Sequence, residues 1–379
     1  MATATITAFP LEGDHWIDAI YRVRADSGAI HARAQAIALE QSIELPLAAV
    51  TDARVLRDIV AQVSDVVETG PQTFDVTVRI AIETTGLEAG QLLNMLFGNS
   101  SLQDDVMLVD AEFPDTFAAT FGGPRFGIAG IRALTGAVDR PLTCAALKPQ
   151  GLAATQLAEL ARTFASAGVD VIKDDHGLAD QIAAPFEERV RCVQRAVDEA
   201  NADTGGHCAY APSVTGHYGQ IHLQVKHARE VGVKMVLIAP MVSGVGALAA
   251  LAREAQMPIV AHPALAGATR IAPPLLLGKL FRLFGADATI FPNAGGRFSF
   301  APQTCAAIAD SARAPWHGLR PTLPVPAGGM SVRRVPEMRR FYGDDTMLLI
   351  GGDLLLARDE LLTRAREFVV AARTDGAGP

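Results

Sequence analysis

The stretch VDVIKDDHGLADQIAAPFEERV, from Val169 to Val190, decides the fold class of this chain. Its first part, Val169–Asp175, is an apolar run of the length and composition of a buried β-strand. Its last part opens the segment Phe186–Ala202, in which apolar residues recur every three to four positions, as in an amphipathic helix. A short strand followed by a helix is the repeating unit of α/β folds, so the surrounding chain is expected to be α/β.

The same unit recurs on both sides of this stretch, from about residue 128 onward. Further helical patterns cover Leu275–Phe284 and Arg358–Ala372. Eight apolar segments are predicted strands: Thr143–Lys148, Val169–Asp175, Cys208–Thr215, Met235–Met241, Ile259–Ala264, Ala288–Pro292, Thr322–Ala327 and Met347–Gly351. This number favours a TIM-type (β/α)8 barrel. The alternative is an open doubly wound sheet, which usually stops at about five to seven strands.

The first part of the chain has a different pattern. Two segments alternate between apolar and polar residues and two have helical spacing: Trp16–Val23 and Thr73–Ile82, then Ile30–Gln41 and Leu87–Phe97. Such a mixture indicates an α+β lobe. We therefore expect a small N-terminal α+β domain over residues 1–125 and a barrel over residues 126–379, joined in the Gly/Pro-rich stretch Phe121–Gly130.

The composition limits the classes of function. The 379 residues include 33 Lys plus Arg and 41 Asp plus Glu, a net charge of −8, which disfavours nucleic-acid binding. The apolar runs are short and interrupted, so no membrane span is expected. Four scattered cysteines without a CxxC pair favour a reducing, cytoplasmic location. The N-terminal segment MATATITAFPLEGDHW has no basic start followed by an apolar run, so no signal peptide is expected.

Polar residues and glycine pairs stand where the predicted barrel strands end, and barrel enzymes carry their active sites at these ends. They are Lys148, Lys173-Asp174-Asp175-His176, Ser213, Ser243, His262, Asn293, Gly328-Gly329 and Gly351-Gly352-Asp353. Ionisable groups directly after apolar strands are costly unless they are paired or coordinated. Their collection at one rim predicts an enzyme.

Lys173, Asp175 and His176 are expected to point into one small volume after the second barrel strand. Two acceptors beside a lysine suit an oxygen-preferring cation such as Mg²⁺. They also suit a lysine that has become a carbamate, because this turns a cation into an anionic ligand. The alternative is a buried Lys173–Asp175 pair that only closes the barrel.

Two further side chains are candidates for catalysis. Lys148, in LKPQG, is placed to bind a phosphate or an enolate oxygen, or to carry a proton if burial lowers its pKa. The alternative for Lys148 is a surface lysine with an apolar stem. His262, in VAHPALAG, is either a catalytic histidine or a hydrogen-bonded core residue.

The glycine pairs after the last two predicted strands suit an anion. Without side chains, Gly328, Gly329, Gly351 and Gly352 let backbone N–H groups approach a phosphate, although ordinary turn glycines are the alternative. The loop from Asn293 to Arg297 is interpreted as a mobile flap carrying one cation, or as a plain polar loop.

These segments, in this order, resemble the ribulose bisphosphate carboxylase (RuBisCO) superfamily over nearly the whole chain. The barrel segments that carry the resemblance are PRFGIAGIRALTG, LKPQGL, VDVIKDDHGLADQIAAPFEERV, IVAHPALAGA, LLLGKLFRLFGADATIFPNAGG, VPAGGM and LLIGGD. In the N-terminal part, ALEQSIE and LFGNSS are similar to segments that family members contribute to the active site of a neighbouring subunit.

The resemblance implies a role for each candidate. Lys173 would be a carbamylated lysine that holds one Mg²⁺ per active site with Asp175 and His176, where His176 replaces a glutamate of the carboxylases. Lys148 would lie beside the enolisable carbons of the substrate, and His262 would bind substrate. Phosphate and substrate contacts would come from Gly328, Gly329, Gly351, Gly352, Asn293 and Arg297. Glu40 and Asn99 would reach across the interface of a homodimer with shared active sites, alone or within a larger assembly.

Four departures from the carboxylases exclude carbon dioxide fixation. Gln150 replaces a second lysine, Pro263 an arginine and Phe291 a histidine. The loop NAGGRFSF has no counterpart of the lysine that steadies the carboxylated product. A bisphosphate needs cationic side chains at two phosphate sites, and one of these two sets of cations is missing here. By resemblance, the chain is identified as a member of the RuBisCO-like branch, form IV.

The groups that remain suit an enzyme that binds one phosphate and stabilises an enediolate with a metal ion. Resemblance to the sugar-acid branch predicts decarboxylation of 3-oxo-isoapionate 4-phosphate, a phosphorylated sugar acid of apiose breakdown, with Lys148 protonating the carbon and Arg297 receiving the carboxylate. One alternative is carboxyl transfer or hydrolysis on the same substrate. Another is tautomerisation of 2,3-diketo-5-methylthiopentyl 1-phosphate in methionine salvage. A catalytically silent binding scaffold is the alternative outside enzymes.

Overall fold

The computed structural model describes residues 15–298 and 300–374. The segment on which the signal-peptide prediction rests lies almost entirely outside these residues. The chain divides into two compact units. The first contains Met1–Gly122, Gly267–Leu275 and Trp316–Leu319, and the second contains Gly123–Ala266, Leu276–Pro315 and Arg320–Pro379.

The first unit is built on an antiparallel sheet with the strand order β2-β3-β1-β4. Its strands are β1 (Trp16–Arg24), β2 (Gln62–Gly70), β3 (Thr73–Ala81) and β4 (Val106–Glu112). Its helices are α1 (Ile30–Glu40), α2 (Ala53–Asp58), α3 (Ala89–Phe97) and α4 (Asp115–Phe121). Every second residue of β1 is buried, from Ile17 to Val23, which is the pattern of a sheet with one face on a core. The expected α+β fold of this part is confirmed.

The described residues of the second unit form eight parallel strands. They are β5 (Leu142–Leu147), β6 (Val171–Asp174), β7 (Ala209–Ala211), β8 (Val236–Ile238), β9 (Ile259–Ala261), β10 (Ala288–Pro292), β11 (Leu323–Ala327) and β12 (Met347–Ile350). They pair in two runs, β12-β5-β6-β7 and β11-β10-β9-β8. A parallel bridge between Ser213 and Leu237 joins the runs on one side, and β11 lies beside β12 on the other. The strands therefore close into the expected barrel.

The helices of this unit alternate with the barrel strands, except that the first precedes β5 and packs Ile128 and Ile131 into the apolar core of the barrel. They are α5 (Gly127–Thr135), α6 (Ala154–Ser166), α7 (Phe186–Thr204), α8 (Tyr218–Glu230), α9 (Pro240–Ser243), α10 (Val245–Glu254), α11 (Phe281–Leu283), α12 (Pro302–Arg313), α13 (Val335–Tyr342), α14 (Gly352–Leu355) and α15 (Leu361–Arg373). A π-helix, Pro274–Leu280, precedes α11. In the described ranges, no helix combines the length and the apolar character needed to cross a bilayer.

The barrel interior positions the site. Cys144, Val171 and Val260 belong to its apolar core. Because side chains alternate between the two faces of a strand, the inward face continues from Cys144 to Lys148, from Val171 to Lys173 and Asp175, and from Val260 to His262. Strand alternation thus turns these four polar groups toward the barrel axis at the carboxyl ends.

Two buried aspartates secure the opposite ends of the strands. Asp287, just before β10, accepts hydrogen bonds from the backbone N–H groups of Phe126 and Gly127, both at 2.7 Å, and of Ile259 at 2.9 Å. Asp170, just before β6, forms an ion pair with Arg140 at 2.7 Å. These contacts lie at the amino-terminal ends of the strands, and residues at this face of a TIM-type barrel commonly contribute to stability rather than to catalysis.

All eight strand predictions are confirmed, with differences at their bounds. The predicted segments Cys208–Thr215 and Met235–Met241 contain strands of only three residues each. Pro212 follows β7 directly and Pro240 begins α9, and neither can donate a backbone hydrogen bond. The predicted helix Leu275–Phe284 is largely the π-helix.

Candidate active site

Four of the predicted residues are in contact at the carboxyl ends of β5, β6 and β9. The Lys148 amine donates a hydrogen bond to Oδ1 of Asp175. The same oxygen lies 3.5 Å from Nδ1 of His176. The ring of His176 stacks on that of His262, with centroids 4.0 Å apart. The backbone N–H of Asp175 donates to the carbonyl of Leu147 at 3.2 Å, which ties the ends of β5 and β6 together.

Lys173 is the more deeply buried of the two site lysines, with 4% of its surface exposed. Its amine donates to the backbone carbonyl of Asp174 at 2.7 Å. Burial lowers the pKa of Lys173, while nearby acids such as Asp175 oppose the shift. A lowered pKa favours the neutral amine, which is the form that can react with carbon dioxide to give a carbamate.

Asp175 keeps its negative charge although it is buried. Burial acts to raise its pKa, but hydrogen bonds with His176 and Lys148 and the positive charge of Lys148 outweigh burial and hold the pKa well below its usual range. The Lys148 side chain is 38% exposed. Lys148 therefore connects the buried carboxylate with the open rim of the barrel.

His262 is held as a neutral ring. Its Nδ1 accepts a hydrogen bond from the backbone N–H of Ala264 at 3.1 Å, which places the proton of the neutral ring on Nε2. Burial, followed by the charges of Lys173 and His176, lowers the pKa of His262 to about 2. The ring can therefore donate one hydrogen bond from Nε2 at neutral pH.

The residues present fit a divalent cation if Lys173 supplies an oxygen ligand. Across the ranges that the structure describes, no group of three or more His, Cys, Asp or Glu side chains is arranged to hold a metal ion. Asp175 and His176 would provide two ligands, and a carbamate on the buried Lys173 would provide the third. The two carboxylate-type oxygens suit Mg²⁺, whereas the imidazole of His176 is a ligand more typical of transition-metal ions.

A buried cluster behind the strand end was not predicted. Asp174, between Lys173 and Asp175, accepts hydrogen bonds from Arg189 Nε at 3.1 Å and from the Tyr210 hydroxyl at 2.8 Å. The available signal was the position of Arg189 on the apolar stripe of α7, three residues after Phe186 and four before Val193. A charged residue on such a stripe needs a buried partner.

The glycine pairs lie next to other predicted residues. A Cβ atom on Gly351 would lie 3.9 Å from Cε of Lys148, so the ends of β12 and β5 adjoin. Gly328 and Gly329 have φ angles of 81° and 75°, which favour glycine. A Cβ atom on Gly329 would lie 2.6 Å from Cα of Gly296, so the loop after β10 packs directly on this pair.

The structure turns Asn293 away from the role expected for it. Its side chain is buried, and Oδ1 accepts a hydrogen bond from the Tyr342 hydroxyl at 2.7 Å. Its Nδ2 lies 3.1 Å from the sulfur of Met330 and 3.0 Å from that of Met338. Because these atoms are used inside the protein, the Asn293 side chain fixes the loop and is not free to bind a phosphate. Arg297 is exposed, with its guanidinium 5.3 Å from the ring centroid of Phe298.

Glu40 and Asn99 lie together in the first unit. Nδ2 of Asn99 donates to Oε1 of Glu40 at 2.9 Å. The neighbouring Gln41 accepts from the backbone N–H of Ser100 at 3.1 Å and donates to the carbonyl of Met95 at 2.7 Å. These bonds hold the end of α1 against the segment that carries Asn99.

Comparisons with known proteins agree with this architecture. Residues 127–355 match the family described as "Ribulose bisphosphate carboxylase large chain, catalytic domain". A 5-methylthioribulose-1-phosphate isomerase of Rhodospirillum rubrum is 53% identical over 355 residues, which cover 93% of this chain and 95% of the relative. A 2,3-diketo-5-methylthiopentyl-1-phosphate enolase of Geobacillus thermodenitrificans is 33% identical over 353 residues, covering 87% of this chain and 85% of that protein. The crystal structure of a RuBisCO-like protein from Rhodopseudomonas palustris matches with a TM-score of 0.91 at 48% identity, covering 97% of this chain and all of that one.

An antiparallel α+β unit followed in sequence by an α/β barrel is the fold of the RuBisCO large chain. The chain belongs to the RuBisCO large-chain family, as an enzyme of its RuBisCO-like branch. The family expected from the motifs is thereby confirmed. The narrower assignment to the sugar-acid decarboxylases is not supported by these relatives, which are named as an isomerase and an enolase.

Proposed function

We propose that this protein is a sugar-phosphate isomerase whose substrate is 5-methylthioribulose 1-phosphate or a close analogue. The observation that carries the proposal is the 53% identity, over 93% of the chain, with the Rhodospirillum rubrum isomerase of that substrate. The grouping of Lys148, Asp175 and His262 at one rim supports it, because these groups suit proton transfer beside a carbonyl.

The chemistry of a ketose isomerase defines what the site has to do. A proton leaves a carbon next to the carbonyl and returns to a neighbouring carbon, with an enediolate between the two steps. Lys148 is placed to carry that proton, since its amine lies between the Asp175 carboxylate and the open rim. Nε2 of His262 is placed to donate a hydrogen bond to an oxygen that gains negative charge.

The remaining predicted groups have supporting roles in this proposal. One Mg²⁺ per site, held by a carbamate on Lys173 with Asp175 and His176, would supply Lewis-acid stabilisation of negative charge on oxygen. The backbone N–H groups of Gly328, Gly329, Gly351 and Gly352 bind the phosphate, with Arg297 as the cation of the adjoining loop.

Decarboxylation of 3-oxo-isoapionate 4-phosphate would pass through the same kind of enolate, but it rests on motif resemblance alone. Carboxyl transfer or hydrolysis on that substrate shares this support. Tautomerisation of 2,3-diketo-5-methylthiopentyl 1-phosphate is favoured by a relative at 33% identity, which is weaker support than 53%. The presence of Lys148, Lys173 and Asp175 together argues against a silent scaffold, because a scaffold without activity would be free to lose them.

The proposal includes a homodimer with shared active sites, alone or within a larger assembly. Glu40 and Asn99, joined by their hydrogen bond, would enter the site of the partner. Both residues keep a fixed relative position, because Gln41 at the end of α1 is hydrogen-bonded to the segment around Asn99.

The test offers the purified protein three substrates in Mg²⁺ and bicarbonate. We expect 5-methylthioribulose 1-phosphate to be converted in H₂O to an isomer of the same mass, and the product formed in D₂O to carry deuterium on carbon. NMR follows both reactions. Lys173→Ala should abolish the reaction, and Lys226→Met, which changes an exposed lysine of α8, should leave it intact. Release of carbon dioxide from 3-oxo-isoapionate 4-phosphate, or enolisation of the diketone, without isomerisation would reject the isomerase.

A further inference from the structure

A buried ion pair lies directly behind the active-site end of β6. The side chains of Asp174 and Arg189 are both completely buried, and Arg189 Nε donates to Oδ2 of Asp174 at 3.1 Å. The backbone N–H of Ser213 donates to the same oxygen at 3.0 Å, and the Tyr210 hydroxyl donates to Oδ1 at 2.8 Å. We call Asp174, Arg189 and Tyr210 the rear cluster.

The rear cluster fixes the backbone that carries the site. Asp174 stands between Lys173 and Asp175 and faces the opposite side of the strand. Its backbone carbonyl accepts the hydrogen bond from the Lys173 amine at 2.7 Å. Any rotation of the Asp174 peptide would therefore move the acceptor of Lys173 and redirect Asp175.

Three other elements hold the rear cluster in place. Arg189 comes from α7, and Nη1 of Arg189 also donates to the carbonyls of Ala179 at 2.7 Å and Ala184 at 2.8 Å, in the loop after β6. Tyr210 comes from β7, and its ring is buried. The end of β6 is thus tied to the helix behind it, to the next strand and to its own loop.

Stability alone does not account for an ion pair in this position. Removing two charges from water is costly, and apolar residues of similar volume often replace such pairs with no loss of stability. The buried acids Asp170 and Asp287 lie at the amino-terminal ends of barrel strands, where they join structural elements. Asp174 instead lies at the carboxyl end, between two functional residues.

We propose that Arg189 and Tyr210, acting through Asp174, are positioning residues that hold Lys173 and Asp175 in the arrangement that binds a divalent cation. The proposal rests on the proposed function in assigning the cation to Lys173, Asp175 and His176. If the proposal holds, cation affinity depends on the Tyr210 hydroxyl and the Arg189 guanidinium, although neither group faces the barrel axis. Outer groups that orient metal ligands commonly change metal affinity by about 10- to 100-fold when they are removed.

The test compares Tyr210→Phe and Arg189→Lys with two matched controls. Tyr210→Phe removes one hydroxyl and keeps the buried ring, so it preserves the fold best. Arg282→Lys changes the other completely buried arginine, whose Nε donates to the carbonyl of Arg320 at 2.9 Å. Asp287→Asn changes a buried acid at the far end of the barrel.

Affinity for Mn²⁺ is measured by electron paramagnetic resonance in bicarbonate, and the carbamate on Lys173 by ¹³C NMR, with thermal unfolding of each variant recorded alongside. We expect both rear-cluster variants to bind Mn²⁺ about 10- to 100-fold more weakly and to lose the carbamate signal at bicarbonate concentrations that saturate the wild type. Both controls should lower the Tm and keep wild-type affinity.

Two outcomes overturn the proposal. One is wild-type Mn²⁺ affinity in Tyr210→Phe and Arg189→Lys, which would make the rear cluster structural only. The other is a wild-type chain that binds no Mn²⁺. A third outcome separates this proposal from the proposed function. If the wild type binds Mn²⁺, Tyr210→Phe weakens that binding, and the wild type does not isomerise 5-methylthioribulose 1-phosphate, then this proposal is supported and only the proposed substrate is rejected.

Discussion

The imidazole rings of His176 and His262 stack with their planes 11° apart and their centroids separated by 4.0 Å. His176 follows β6 and His262 follows β9, so the stack connects strands that belong to different paired runs of the barrel. His262 is in turn held by the N–H of Ala264. The orientation of His176 therefore depends on His262 as well as on its own strand.

This stack predicts different effects for two substitutions of His262. His262→Phe keeps an aromatic ring against His176 but removes the Nε2 donor, so it should lower kcat by about 10² or more while Mg²⁺ affinity is retained. His262→Ala removes donor and stack, and it should weaken Mg²⁺ binding as well. Steady-state kinetics and calorimetric Mg²⁺ titration separate the two effects. Unchanged kcat in His262→Phe would contradict the assignment of a donor to Nε2.

Lys148→Met tests the proton carrier. The Lys148 amine lies against the Asp175 carboxylate, and its side chain also reaches the open rim of the barrel. Loss of this amine should reduce exchange of the substrate proton with D₂O by about 10² to 10⁴. Proton NMR follows the exchange, and calorimetry reports substrate binding. Lys226→Met on α8 should exchange at the wild-type rate; equal losses in both variants would refute a specific role for Lys148.

The barrel and most of its rim were predictable because strand periodicity carries the necessary information. Once Cys144 and Val171 are recognised as interior residues, alternation places Lys148 and Lys173 on the same inward face. The direction of Asn293 was not predictable in this way. It depends on Tyr342, Met330 and Met338, which come from later segments of the chain. The buried position of Arg189 was not predictable from its residue type, because charged residues on helices are usually solvated.

A shared active site predicts complementation between two inactive variants. If Glu40 acts in the site of the partner, Glu40→Ala and Lys173→Ala disrupt opposite contributions to each site. Mixed dimers of the two then contain one intact site of two related by twofold symmetry. Isolated mixed dimers should therefore have about half of the wild-type activity, and an unseparated statistical mixture about one quarter. Co-expression with two affinity tags isolates the mixed dimers for assay. Absence of activity in mixed dimers would place Glu40 and Lys173 of the same chain in one site.

The contact between Gly329 and the loop after β10 gives a final prediction, on coupling between the phosphate site and the loop. Gly329→Ala adds the strain of a positive φ angle and a clash with Gly296, whose Cα would lie 2.6 Å from the new methyl carbon. Gly318→Ala is the matched control, because Gly318 has a φ of 68° and no atom within 4 Å of the added Cβ. The control should lose about 1 kcal/mol of unfolding free energy, the ordinary penalty of the left-handed conformation, with KM unchanged. Gly329→Ala should lose more, and its KM should rise because the clash displaces the backbone that carries Arg297. Denaturant unfolding and KM measured on the same preparations decide the matter: equal stability losses with equal KM would show that the loop and the glycine pair act independently.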